Sequence, residues 1–280
     1  MTSAAKQATI GSMQSSFSSH PEQGAPAPVS EPALGPTSGR SRGDAQRYRF
    51  TTSPCGGVAM AVNGTQVVLK ASGALHVPAR DALLVADLHF EKGSAYATRG
   101  QLLPPYDTRE TLTRLERAVA ACAPRLLVFL GDSFHDGRAE DRLAPEDAAR
   151  LAALASGRTL VWVVGNHDAD GPRGLPGEVI DEMTLESLVL RHEPLPGVQP
   201  GEVAGHLHPA ARIAGRGGRV RRRCFVTDGS RIVVPAFGAY AGGLNVKDAA
   251  FAPLFASRPM AAALGTDRVH AIGWKSLVGD

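Results

Sequence analysis

Four short apolar runs order the chain, and each closes on a carboxylate, an amide or an imidazole. Residues 83–90 carry Asp87 and His89, and residues 126–134 carry Gly131-Asp132. Residues 159–168 carry Gly165-Asn166-His167-Asp168, and residues 202–209 carry Gly205-His206-Leu207-His208. In an extended chain, side chains at i and i+2 share a face, so Asp87 and His89 can grip one object together. On a helix the same spacing would splay them. The pattern predicts a strand end, or the loop just after it.

Other stretches predict the elements between these runs. Val58–Val62 and Thr65–Leu69 flank Asn63-Gly64, the preferred pair for a type I′ hairpin. Asp107-Thr108-Arg109-Glu110 has the form of a capping box and predicts a helix to about Cys122. Its buried side would carry Leu112, Leu115, Val119 and Ala120, and Pro124 stops it. A strand over 125–130, a helix over 145–156 and a strand over 159–164 follow. Strands alternating with helices argue for an α/β layer with parallel neighbours. Beyond Asp168, Gly- and Pro-rich connections separate short strands at 187–191, 202–204, 220–227 and 230–234, the last two flanking Asp228-Gly229 as a second hairpin pair. Residues 237–243 read as a loop. The resulting picture is two packed sheets with helices outside and the ligand-bearing loops at one edge.

Composition narrows the class. The chain has 280 residues, 43% hydrophobic and 20% charged, which is ample for one substantial core. Residues 1–46 are rich in Ser, Pro, Ala, Gly and Gln with little Leu, Ile or Val, and predict a disordered tail before a single domain at 47–280. A net charge of +3 does not by itself announce a nucleic-acid binder. Cys55, Cys122 and Cys224 lack C-x-x-C spacing and sit in or beside apolar runs, as buried free thiols in a reducing compartment would. No stretch approaches the roughly 18 apolar residues of a spanning helix, and the first residues lack a secretory apolar region. The expectation is a soluble, cytoplasmic protein.

The candidate ligands are Asp87, His89, Asp132, Asn166, His192, His206 and His208. Carboxylate, imidazole and amide oxygen suit Mn²⁺, Fe²⁺ or Zn²⁺, and the absence of thiolates argues against a structural zinc. Seven donors exceed one tetrahedral ion and suit two ions sharing a carboxylate, with Asp132 as the natural bridge. Two ions about 3.5–4 Å apart can activate water and clamp the oxygens of an in-line phosphoryl displacement. Each piece alone has a plainer reading: a strand-end turn for Asp87 and His89, an Asx-type turn at Asn166, surface imidazoles for His206 and His208. Their joint occurrence in this order argues against all of these together.

Asp87-Leu88-His89, Gly131-Asp132-Ser133-Phe134-His135-Asp136, Gly165-Asn166-His167-Asp168, His192 and Gly205-His206-Leu207-His208 together resemble the calcineurin-like metallophosphoesterases. The resemblance implies a four-layer fold, two mixed β-sheets between helices. It implies that Asp87, His89, Asp132 and His208 hold one ion and that Asp132, Asn166, His192 and His206 hold the other. His167 would stabilise the transition state or protonate the leaving oxygen. A narrower resemblance rests on residues 87–93, 130–136, 205–209 and 235–243, which look like the bacterial ligase-associated DNA-damage-response endonucleases, encoded beside a DNA ligase, an exonuclease and a helicase of a repair set.

Arg212, Arg216, Arg219, Arg221, Arg222 and Arg223 follow the last His pair. They suit a DNA backbone bound through phosphates, or equally a solvated hairpin edge whose charges deter sheet pairing. Strand alternation keeps them from all facing one ligand. His135 and Asp136 can orient ligands, touch the scissile phosphate or simply bond within their loop. Tyr240, with Phe237 and the neighbouring glycines, can let a nucleotide stack near backbone, or can serve turn chemistry. The sequence therefore carries three functions: a DNA phosphodiesterase, a phosphoesterase acting on nucleotides or other small esters, and a non-catalytic scaffold.

Overall fold

The computed structural model describes residues 7–9, 49–215 and 218–280. The expected tail and Arg216 lie outside these residues, apart from one short strand, β1 (Gln7–Thr9).

The first sheet takes its strands in chain order. β2 (Phe50–Thr52), β3 (Val58–Val62), β4 (Thr65–Leu69), β5 (Leu75–Val77) and β6 (Ala82–Val85) run antiparallel. Then α1 (Lys92–Ala97) and α2 (Asp107–Cys122) lead to β7 (Leu126–Leu130). α3 (Ala139–Arg142) and α4 (Pro145–Ala153) lead to β8 (Thr159–Val163), followed by β9 (Glu178–Ile180). β6 through β9 are parallel, as the alternation predicts. Asn63 and Gly64 both adopt positive φ, the left-handed pair that a type I′ turn requires.

The second sheet comprises β10 (Glu182–Leu185), β11 (Leu188–Arg191), β12 (Glu202–Ala204), β13 (Pro209–Gly215), β14 (Gly218–Thr227), β15 (Ile232–Val233), β16 (Leu244–Asn245), β17 (Met260–Leu264) and β18 (Val269–Ile272). β11, β12 and β15 are parallel neighbours, and β1 adds to the edge at β10.

Alternation along the first sheet decides the layers. Leu83, Val85, Leu127, Phe129 and Trp162 face α2 and α4, while Leu84, Val128, Leu130, Val161 and Val163 face Leu188, Leu190, Val203 and Phe225 of the second sheet. The outcome is the expected pair of mixed sheets with helices outside. Among the described residues, however, every α-helix precedes β9, and the outer face of the second sheet is covered by 3-10 turns at Ala249–Phe251 and Trp274–Ser276.

Three local expectations need correction. Asp107 is not the helix cap: Tyr106 holds that position without a side-chain bond, and the Asp107 carboxylate accepts from the Gly93 N–H at 2.9 Å. Asp107 is buried, and α1 offers it a donor that would otherwise be orphaned. Ala120 is exposed and Ala118 buried, so the helix's apolar stripe is rotated by part of a turn. Asp228-Gly229 does not close a two-residue hairpin. Thr227 pairs with Ile232, so four residues connect β14 and β15, and Asp228 Oδ1 accepts from the Ser230 and Arg231 N–H groups. Arg231 is thereby turned inward, where it meets Glu202 and the carbonyls of Leu195, Gly197 and Leu254.

The cysteines differ as well. Cys224 is buried, Cys122 is intermediate, and Cys55 is exposed in the turn between β2 and β3.

Candidate metal centre

Each expected ligand follows the carboxyl end of a strand, or in one case precedes a strand. Asp87 and His89 follow β6, Asp132 follows β7, Asn166 and His167 follow β8, His192 follows β11, and His206 and His208 lie between β12 and β13. The carboxyl ends of parallel strands are where open α/β sheets present their ligand sites. Here the ends of both sheets meet, because Ala236, past β15, bridges in parallel to Ala86, and the Phe237 N–H bonds the Ala86 carbonyl at 2.8 Å.

Three compact donor groups result among the described residues, each with its donor atoms within 4.8 Å of one another: Asp87, His89 and His208; Asp132, His192 and His206; and His89 again with His135 and His167, the one group without a carboxylate. In the first, His208 Nε2 lies 3.3 Å from Asp87 Oδ1 and 3.2 Å from His89 Nε2. In the second, His192 Nε2 lies 3.4 Å from Asp132 Oδ1 and 3.2 Å from His206 Nδ1. The other oxygen of Asp132 lies 3.9 Å from His89 Nε2 and 3.9 Å from His167 Nε2. Asp132 thus faces the first two groups and His167, which is the position a shared carboxylate needs. Asn166 stands on the same loop, exposed to solvent.

The loops earn this geometry at the expense of backbone ease. Asp87, His89, Asp132, His206 and His208 all have φ between 45° and 65°. Such conformations cost about 1–3 kcal/mol each for residues with a side chain, and persist only where surroundings fix them. Asp168 supplies much of that fixing. Its buried carboxylate accepts from the N–H groups of Asp132, Ser133, Phe134 and Gly165. Across the two loops, the Asp87 N–H donates to the Gly131 carbonyl and the His89 N–H to the Asp132 carbonyl, continuing the β6–β7 ladder beyond the strands. Gly131 is required twice over: its φ is 72°, and a Cβ there would lie 2.3 Å from His192 Nδ1. Asp168 was present in the sequence pattern, but its buried four-bond role is legible only in the fold.

Electrostatics match a cation-binding set. Burial, reinforced by the neighbouring His208, drives the His89 imidazole down to about 3, so it stays neutral with a lone pair to offer. Burial also pushes the Asp132 carboxyl upward, but the bond and charge of His192 win and hold it below the usual carboxylate range. Burial disfavours a charged His192 too, yet Asp132 and Asp87 raise it to about 9. His192 Nδ1 donates to the Leu130 carbonyl at 3.1 Å, aiming Nε2 inward, as the outer bond of a metal-ligating imidazole does. Among the described residues His89 Nδ1 is buried without a hydrogen-bond partner. Imidazole nitrogens facing one another across carboxylate oxygens, with no thiolate among them, fit borderline divalent ions.

The remaining candidates divide. His135 stacks on His167 with ring centroids 5.2 Å apart, and its carbonyl accepts from His167 Nδ1 at 2.7 Å. Asp136 pairs with Arg142 and bonds the Arg138 N–H. Arg219, Arg221 and Arg223 lie on one face of β14 with Arg212 opposite Arg221, while Arg222 lies on the other face. The Arg223 guanidinium donates to the carbonyls of Ala236, Phe237 and Gly238, and Arg221 meets Asp280 and the Gly243 carbonyl. Tyr240 is half-buried in the loop beyond.

These features define a metallophosphoesterase. The chain belongs to the calcineurin-like phosphoesterase family, whose model matches residues 82–230, a stretch that includes every candidate ligand. Among solved structures it is similar to the nuclease MPE of Pseudomonas putida, with a TM-score of 0.60 and 33% identity over 77% of this chain and 100% of that one. Among curated proteins it is 34% identical over 92 residues to a protein of Arabidopsis thaliana described as probable inactive purple acid phosphatase 29, covering 31% of this chain and 23% of that relative.

Proposed function

We propose that the protein is an endonuclease that hydrolyses DNA phosphodiester bonds with two divalent ions, Mn²⁺ foremost and Fe²⁺ or Zn²⁺ as substitutes. The observation that carries this reading is the shared position of Asp132 between two His–carboxylate groups, with His167 Nε2 beside it. Similarity to a nuclease over most of the chain favours DNA over small esters. Asp87, His89, His208 and Asp132 would hold one ion, and Asp132, Asn166, His192 and His206 the other. Bound there, the pair supplies Lewis acidity and neutralises charge on the phosphoryl oxygens.

The chain's own groups do the rest. The Leu130 carbonyl fixes the His192 ring and the His135 carbonyl fixes that of His167. With Nδ1–H committed to that carbonyl, a proton on Nε2 is free to pass to the departing oxygen. Arg219 and Arg221 offer charge to neighbouring phosphates. A DNA ligase, exonuclease and helicase of a repair set are the partners in this reading.

The test combines metal analysis of the purified protein with Mn²⁺-dependent cleavage of supercoiled plasmid, single-stranded DNA and a cyclic nucleotide. Two metal equivalents and DNA cleavage that a chelator abolishes are expected. Asp132→Ala should lose metal and activity together, while His167→Ala should keep metal and lose roughly 10²–10⁴-fold in rate. Full activity in both variants refutes the site. Turnover of the cyclic nucleotide alone refutes DNA as substrate.

A further inference from the structure

Away from the metal centre, the outer face of the second sheet holds a cavity of about 350 Å³. It lies between the turn at Ala249–Phe251, the segment that follows this turn, and Trp274. No candidate metal ligand lines it. The sequence accounts for the hollow. Asp248 caps the turn by accepting from the Ala250 N–H at 2.9 Å, and Ala249, Ala252 and Ala256 bring no side chain long enough to fill the space. Phe251 is buried, Phe255 and Trp274 are half-buried, and two apolar clusters of this face meet at Phe255. The result is a pocket with flat apolar walls, at the small end of the roughly 300–1,000 Å³ that take whole small molecules.

The charges in this wall are unequal in sign. Two cations, Lys247 and Arg258, stand against one carboxylate, that of Asp248. Lys247 is held in place. Asn245 Oδ1 accepts from its backbone N–H at 3.0 Å, and its Nζ donates to the Trp274 carbonyl at 3.1 Å and lies 3.9 Å from a ring centroid of that indole. Carbonyl and ring are both neutral, and an ammonium carries three N–H donors, so these two partners fix the charge without cancelling it. Burial, and then the positive charge of Arg258, lower the Lys247 ammonium from its ordinary value. An anion close to both cations would relieve that repulsion.

We infer that this cavity is a binding site for a nucleoside monophosphate, with the phosphate toward Lys247 and Arg258 and the base against Phe255 and the edge of Trp274. A dianion suits a wall that carries two cations, and a flat ring suits phenyl and indole walls. Inorganic phosphate alone would leave the apolar walls unfilled, and a nucleoside alone would leave the cations unmet. Only a ligand that joins the two parts uses the whole pocket. The inference is independent of the substrate assigned to the metal centre, since the two sites share no residue.

The test is isothermal titration of the full chain in Mn²⁺ with 5′-AMP and 5′-TMP, and with adenosine and inorganic phosphate as the separate parts. At least one nucleotide should bind about 10-fold or more tighter than either part, as charge-assisted bonds and ring contacts combine. Lys247→Met, which keeps the apolar stem and drops the charge, should weaken that binding about 10–100-fold, the loss of one charge-assisted bond. Ala252→Leu, at an exposed position of the same wall, should weaken it about 10-fold by filling the space. The chain has two tryptophans, and Trp162 is fully buried, so the nucleotide should change the emission of Trp274 alone and Trp274→Phe should abolish the change. Asp132→Ala, which disables the metal centre, should bind the nucleotide as the wild type does. If Lys247→Met does not fold, as circular dichroism would report, Ala252→Leu and the emission of Trp274 decide in its place. Equal affinity for phosphate or adenosine alone, unchanged binding in a folded Lys247→Met or in Ala252→Leu, or no saturable binding of either nucleotide overturns the site. Binding that Asp132→Ala removes places the nucleotide on the metal centre and overturns it too.

Discussion

At the scale of single residues, Gly131 shows how closely the centre is built. An added methyl would lie inside van der Waals distance of the His192 ring, in a backbone conformation that β-carbons resist. Gly131→Ala should therefore displace a ligand without touching one, lowering metal affinity of the Asp132–His192–His206 group by roughly 10–100-fold, as mispositioning of a ligand does. Isothermal titration with Mn²⁺ checks this, and unchanged affinity would contradict the packing. Cys55 gives a second prediction. The Ser53 hydroxyl, above all, and then the Gly57 N–H and Lys70, outweigh its slight burial and bring its thiol down to about 7, while burial pushes Cys224 far up. Iodoacetamide should label Cys55 first, with a rate that rises through pH 7 as thiolate forms, and Cys224 only on unfolding. Lys70→Ala should move that midpoint upward. The sequence made the candidate ligands legible as a set, because carboxylates, amide and imidazoles at fixed offsets from glycines have few other uses. It did not make Cys55 legible, since an apolar neighbourhood in sequence says little about a loop's exposure.

At the scale of elements, the junction of α1 and α2 is where sequence rules and structure part. Asp107 and Glu110 obey the spacing of a capping box, yet Asp107 is spent on Gly93 and Thr108 on Glu91, tying two helices together instead of closing one. A local rule sees only the N–H groups of its own helix. The fold offers a buried donor from another, and an unsatisfied buried donor costs more than a frayed turn. Asp107→Ala should lower stability by about 1–3 kcal/mol, since it orphans that donor. Urea unfolding followed by circular dichroism measures it, and Glu110→Ala, whose carboxylate meets Arg114 at the surface, should cost far less. A larger loss at Glu110 would restore the capping box. The parallel order of β6, β7 and β8 was legible because buried strands between helical periods have few other arrangements. The Asp228 connection was not, because the inward turn of Arg231 depends on Glu202 and on carbonyls distant in sequence.

At the scale of the whole molecule, each donor group that contains a carboxylate draws on both sheets. Asp87 and His89 come from the first sheet and His208 from the second, and Asp132 from the first with His192 and His206 from the second. A cation held by either group therefore adds a link between two layers that already meet through apolar packing, the Ala86–Ala236 bridge and polar contacts such as those of Asn63 and Thr65 with Ser187. That convergence lies beyond local pattern, although the recurrence of ligand-bearing strand ends foreshadowed it. Binding to the folded state alone adds about 2.7 kcal/mol at a free concentration 100 times the dissociation constant. For a domain of this size that corresponds to a rise in melting temperature of about 5–10 °C per ion. Chelation should lower the melting transition by that amount and Mn²⁺ should restore it. The Asp132→Ala variant, with the shared carboxylate gone, should melt at the same temperature with and without chelator. Hydrogen exchange sharpens the reading: the Phe237 and Gly238 amides, which bond the Ala86 and Asp87 carbonyls across the seam, should lose protection on chelation more than amides inside β7. Equal loss in both places would mean that the metals stabilise the molecule globally rather than by joining its sheets.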